Sequence, residues 1–133
     1  MKKVDFNFIW LLVVGFMATF MWLKVVHAKE ARTVKLDDKK VAQIFVRVGR
    51  STVLNFPVKP SKVVLGNTGA FSVQYIENDL AISPLSLGAS SNLFVYLQGR
   101  RFGFDLVPST QSDEIVIVRD ILDKPVPVRI QND

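Results

Sequence analysis

Residues 90–109 read SSNLFVYLQGRRFGFDLVPS, and their alternation constrains the fold more than any other feature of the chain. Leu93, Val95 and Leu97 fall on one side of an extended backbone, with Phe94 and Tyr96 on the other. After Gln98 and Gly99, the residues Phe102, Phe104 and Leu106 share a side against Gly103, Asp105 and Val107. Side chains alternate faces along a strand, so a period of two predicts a strand on each side of the break. Gly99 supplies the left-handed conformation that a two-residue hairpin turn requires. The segment predicts a β-hairpin in which no side chain is suited to catalysis.

The same pattern recurs along the chain. Residues 41–48 (VAQIFVRV) place Ile44, Val46 and Val48 on one face. Residues 52–56 (TVLNF) end at Pro57, and 61–65 (SKVVL) follow Pro60. Residues 71–76 (FSVQYI) alternate Phe71, Val73 and Tyr75 against Ser72, Gln74 and Ile76. Residues 80–83 run into Pro84, and 114–119 (EIVIVR) follow Pro108. Turn residues separate these runs, and no window beyond the N-terminal apolar segment sustains a helical period. Seven to nine short strands of this kind predict an all-β, antiparallel sandwich with one core.

The N-terminus reads as an export signal. Lys2 and Lys3 precede the apolar run IWLLVVGFMATFMWL, residues 9–23, and Val26-His27-Ala28 suits cleavage after Ala28. The alternative is an uncleaved anchor, because the 6–23 stretch reaches the lower limit for a membrane span. The expected organisation is a signal or anchor at 1–28, a polar leader at 29–40 with at most a short strand at 33–36, a sandwich at 41–120, and a proline-containing tail at 121–133. Cleavage would place the protein in a periplasm. It would remove Lys2, Lys3 and Lys24 from the 17 basic residues and Asp5 from the 12 acidic ones, leaving a net charge of +3. Contact with a membrane is then expected only through an uncleaved N-terminal segment.

Chemistry is bounded by what the chain lacks. There is no cysteine, and the single histidine, His27, lies inside the signal. Thiol catalysis, histidine base catalysis and the usual zinc sites are therefore not expected. Lys59, Ser61 and Lys62 could be read as a Ser–Lys pair, but they stand in a proline-bounded turn, where solvated side chains are the expectation. Asp37 and Asp38 lack the spaced oxygen ligands of a calcium loop and read as a turn. The Gly-bearing turns precede strands and not helices, so no phosphate cradle is expected. These readings predict a non-enzyme with no cofactor, no metal and no small-molecule ligand.

Several segments together resemble a known family. VRVGRSTVLNFP, VLGNTGAFSV, a strand ending ISP, and SSNLFVYLQGRRFGFDLV are similar to the N-terminal domain of TrbG/CagX-type proteins of conjugation and type IV secretion machines. The matching positions are Gly49, Thr52, Phe56, Pro57, Gly66, Asn67, Pro84, Asn92, Leu93, Val95, Phe102, Phe104 and Leu106, within residues 41 to 107. Ser91 stands where that family has Thr, Phe102 where it has Tyr, and the chain has no room for the family's second β-domain. The small N-terminal domain of pilus-type secretins is a neighbouring resemblance. The resemblance implies an Ig-like sandwich working as a structural or accessory subunit of a periplasmic, ring-shaped assembly. Its partners would be protein subunits, including further copies of itself. The other reading of the chain is a free-standing periplasmic module or chaperone for an extended peptide or glycan.

Two places are expected to bind partners. The tail DKPVPVRI, residues 123–130, alternates Val126, Val128 and Ile130 against Pro125 and Pro127, as an edge strand on its own domain or a donated strand would. Arg100 and Arg101 lie at the hairpin turn. Stacking of nucleic-acid bases beside Phe102 and Tyr96 would use them, but a net charge of +3 and an export signal favour solubilising arginines at a turn. On that expectation Arg100→Ala costs less than about 0.5 kcal/mol.

Overall fold

A computed structural model describes Lys3, residues 5–20 and residues 27–122. Helix α1 (Phe6–Phe20) occupies part of the N-terminal apolar run. No described helix is long and apolar enough to cross a membrane.

Nine strands follow: β1 (Arg32–Leu36), β2 (Val41–Val46), β3 (Thr52–Asn55), β4 (Lys62–Leu65), β5 (Phe71–Ile76), β6 (Asp79–Pro84), β7 (Ser91–Leu97), β8 (Arg100–Pro108) and β9 (Ile115–Asp120). They form a five-stranded sheet, β1-β9-β3-β6-β5, and a four-stranded sheet, β2-β8-β7-β4. The protein is an all-β sandwich.

The sheets are mixed. The tight hairpins β5–β6 and β7–β8 and the pairs β3–β6 and β4–β7 are antiparallel. The pairs β1–β9, β2–β8 and β3–β9 are parallel. A parallel neighbour needs a long connection, and each of these pairs joins strands from distant parts of the chain. Residues 29–40 are consequently more than a leader: β1 runs alongside β9 from Arg32↔Val116 to Leu36↔Asp120, and Leu36 is buried in the core. The sandwich begins at Arg32, not at Val41.

Backbone chemistry explains the turns. Leu97 pairs with Arg100 across Gln98 (φ 46) and Gly99 (φ 76), so both central residues are left-handed, the type I′ geometry whose twist matches the strands. Ile76 pairs with Asp79 across Glu77 (φ 54) and Asn78. Two prolines lie at strand ends where their missing N–H has no partner to lose. Pro84 extends beyond Ile82, the last β6 residue paired with β3, and Pro108 extends beyond Leu106, the last β8 residue paired with β7.

The core lies between the sheets. Ile44, Val46, Leu54, Leu80, Ile82, Leu93, Val95, Val116 and Val118 are buried, together with Phe102, Phe104 and Leu106 on the side their alternation predicts. Val48, expected to share the face of Ile44 and Val46, lies past the end of β2 and is half-buried. Phe56 and Phe104 meet edge to face, with ring centroids 6.2 Å apart and planes at 76°. Along β5 burial fades from Phe71 through Val73 to an exposed Tyr75, so the far end of this strand overhangs the opposing sheet.

Candidate interaction edge

A two-sheet sandwich has four edge strands, each with a row of backbone groups that pair with nothing in its own sheet. Unprotected edges capture other chains, and natural proteins blunt them with charge, proline, short length or a covering group. Here the edges are β1 and β5 of one sheet and β2 and β4 of the other.

The β2 edge is plugged. The Asp113 side chain, 13% exposed, accepts the Phe45 N–H at 2.9 Å, while the Asp113 N–H donates to the Phe45 carbonyl at 2.8 Å. Arg32 grips the same carboxylate with Nε at 3.1 Å and Nη2 at 2.7 Å, and its Nη2 also donates to the Gln43 carbonyl at 2.8 Å. The guanidinium lies 5.9 Å from the centre of the Phe45 ring. Thr52 Oγ1, buried, donates to the Asp113 carbonyl at 2.6 Å and fixes the segment that carries the plug. Lys29 donates to the Ser112 carbonyl beside it.

The β1 edge is charged. Ile121 N–H donates to the Leu36 carbonyl, so Leu36, Val34 and Arg32 direct their backbone groups to β9, and Thr33 and Lys35 direct theirs outward. Lys35 is exposed on this edge. The β4 edge is four residues long and opens with Lys62 after the Pro60 break. Its Gly66 N–H donates to the Asn92 carbonyl, which leaves Val63 and Leu65 outward.

The β5 edge has none of these devices. Its six residues, FSVQYI, include no charge and no proline. Leu85 N–H donates to the Ala70 carbonyl at 2.9 Å, and the Ile76↔Asp79 pair closes the hairpin. Even-numbered residues therefore bond to β6, while the N–H and C=O groups of Phe71, Val73 and Tyr75 point away from the sheet. No described residue bonds to those groups. Tyr75 and Ile76 are 51% and 54% exposed at the end of the strand.

Arg100 and Arg101 occupy different positions from the free pair expected at the turn. Arg100 Nη2 bonds Asp120 Oδ1 at 2.9 Å, the two side chains being 28% and 15% exposed, so this arginine ties β8 to β9 and is not a solubilising group. Its guanidinium lies 5.9 Å from the centre of the Phe102 ring. Arg101 is exposed on the outer face of the four-stranded sheet, 6.0 Å from the Phe94 ring. Gly103, directly opposite Phe94, leaves room for that ring: a Cβ on it would stand 3.4 Å from Phe94 Cε1. Val126, Val128 and Ile130 lie outside the described residues.

Two of the residues weighed for chemistry have structural partners. Ser61 Oγ donates to the Tyr96 carbonyl at 2.9 Å, and Asp37 Oδ1 accepts the Lys39 N–H at 2.9 Å in a turn. Among the described residues no group of three or more His, Cys, Asp and Glu could hold a metal ion. An open groove of about 470 Å³ lies at the other end of the sandwich, lined by Val46, Pro84, Leu87 and Pro108, with Arg47 its one ionisable side chain. Sequence reasoning missed Asp113 altogether. Its signal, one aspartate in a polar run before a strand, is that of any turn.

Among the described residues, the fold and its edges define a β-sandwich with three blunted edges and one open edge. Neither protein-family models nor curated proteins give a match to the chain.

Proposed function

We propose that this protein is a non-enzymatic structural or accessory subunit of a cell-envelope assembly of the secretion, conjugation or pilus type, acting in the periplasm through protein–protein contacts. The reading draws on the export-like N-terminus and on the resemblance of residues 41 to 107 to TrbG/CagX-type domains. The observation that carries it is the β5 edge, which lacks the plug, charge or short length that blunts the other three. An edge of this kind offers main-chain hydrogen bonds to an incoming strand, and the flanking side chains select it. A free-standing capture module would use the same edge, and the two readings differ in what occupies it.

The test is purification from membranes in mild detergent, with mass spectrometry of the co-purifying proteins. Wild type and Tyr75→Pro are compared, the variant losing one outward N–H at an exposed position. Wild type is expected to bring down channel or ring subunits of one envelope machine, and Tyr75→Pro to lose them. Identical co-purification by the two, or recovery of wild type with unrelated periplasmic proteins alone, would reject the reading.

A further inference from the structure

We propose that the β5 edge accepts residues 124–130 of a second copy of this chain as an added antiparallel strand. The inference rests on the assembly reading above and names the occupant of its open edge.

The segment KPVPVRI is one-sided in both of its strand properties. In an extended chain, alternate residues place their side chains on opposite faces and their backbone groups on opposite edges. Lys124, Val126, Val128 and Ile130 therefore share one face and one edge, and all four retain an N–H. Pro125 and Pro127 share the other edge, where they have no N–H to donate. Such a segment can pair on one side only. It suits a strand that ends a sheet.

The outward groups of β5 belong to Phe71, Val73 and Tyr75. An antiparallel register of Phe71↔Ile130, Val73↔Val128 and Tyr75↔Val126 pairs every outward group with a residue that has both donor and acceptor. Cross-strand partners share a face, so Ile130 comes beside buried Phe71, Val128 beside half-buried Val73, and Val126 over the exposed Tyr75 ring. One step further, Lys124 falls opposite Glu77, a charge match at the hairpin turn. Pro125 and Pro127 then face outward, and with Arg129 they blunt the new edge, so sheet growth stops after one strand.

Reach excludes the chain's own β5. From β9 the segment would pass β3, β6 and β5 to lie beyond them, four strand spacings or about 19 Å. Asp120 ends β9, and the four residues from there to Lys124 extend at most about 14 Å. A donor on a second copy has no such limit. Donor segment and acceptor edge are different surfaces, so the contact is of the kind that builds rings or chains of subunits.

The test uses disulfide formation in a protein that has no native cysteine. Full chains carrying Tyr75→Cys and Val126→Cys singly are purified, mixed and oxidised. A disulfide-linked dimer holding one copy of each variant is expected. It should be lost when Ile76→Cys, on the opposite face, replaces Tyr75→Cys. Truncation after Leu122 should convert the self-associated form to monomer in sedimentation, with the circular dichroism of the β-sandwich retained. A disulfide confined within single chains of a Tyr75→Cys/Val126→Cys double variant would overturn the proposal. Equal linkage through Ile76→Cys, no linkage at all, or undiminished association of the truncated chain would also overturn it. If linkage fails while Tyr75→Pro still strips the co-purifying envelope subunits, the occupant is wrong and the assembly reading stands.

Discussion

Arg100 and Asp120 meet at 2.9 Å across the end of the sandwich, one on β8 of the four-stranded sheet and the other on β9 of the five-stranded sheet. The contact joins the two sheets at this end, as Arg32 of β1 does elsewhere by donating to the Gln43 carbonyl of β2. It also turns a residue from the most exposed part of the hairpin into an internal tie. Arg100→Ala leaves the Asp120 carboxylate shielded and without its cation. We expect a loss of about 1–2 kcal/mol in urea unfolding, less than for a fully buried pair because both groups retain some contact with water. A double-mutant cycle with Asp120→Ala should return a clear coupling energy, and strict additivity would show the tie to be inert.

Phe104→Ala should cost about 3–5 kcal/mol, because the ring is fully buried and meets Phe56 edge to face. Denaturant melts measure it directly. A neutral substitution would contradict the packing.

Asp113→Ala should do more than destabilise. It removes the acceptor of the Phe45 N–H and the partner of Arg32 in one step, at a cost of about 2–4 kcal/mol. It also uncovers β2 as a second open edge. Light scattering should show concentration-dependent association beyond that of the wild type, and Asp113→Asn, which keeps one acceptor oxygen, should fall between the two. Association no greater than wild type would mean that the edge is covered by other means.

Gln98→Asn should stabilise the protein. Gln98 is held at φ 46 in a turn that favours Asn followed by Gly, and the next residue is already Gly99. A gain of about 0.5–1 kcal/mol is expected from relieving a left-handed residue with a larger side chain. The urea midpoint should rise with an unchanged slope.

Most strand positions were legible because alternation and turn chemistry are local. Residues 71–76 and the Gln98-Gly99 turn stand where those signals put them, and the other strands shift by only a few residues. Partnership was less legible. The alternation of residues 41–46 says which side chains point inward, yet it is silent on whether the neighbour is antiparallel or, as here, the parallel strand β8. Residues 32–36 carry three charged or polar residues among five, too polar to stand out, and they enter the sandwich through backbone pairing with β9. Arg100 is obscure for a related reason: a charged residue at a turn reads as solvated until the strand that brings Asp120 beside it is known. The openness of β5 was hidden in the same way, since the edges of a sheet are defined only when every pairing is known.

The pairing of the first strand with the last has a consequence for the order of folding. A chain emerging N-terminus first has β1 and β2 available early, but β2 waits for residues 103–108 and β1 for residues 116–120. Neither sheet can be completed from the first half of the chain. Contacts of such long sequence separation make folding slow relative to helical domains of similar size. The sandwich therefore cannot close until residues 115–120 have been made: hairpins β5–β6 and β7–β8 are available earlier, but β1 has no neighbour in its sheet before β9 arrives.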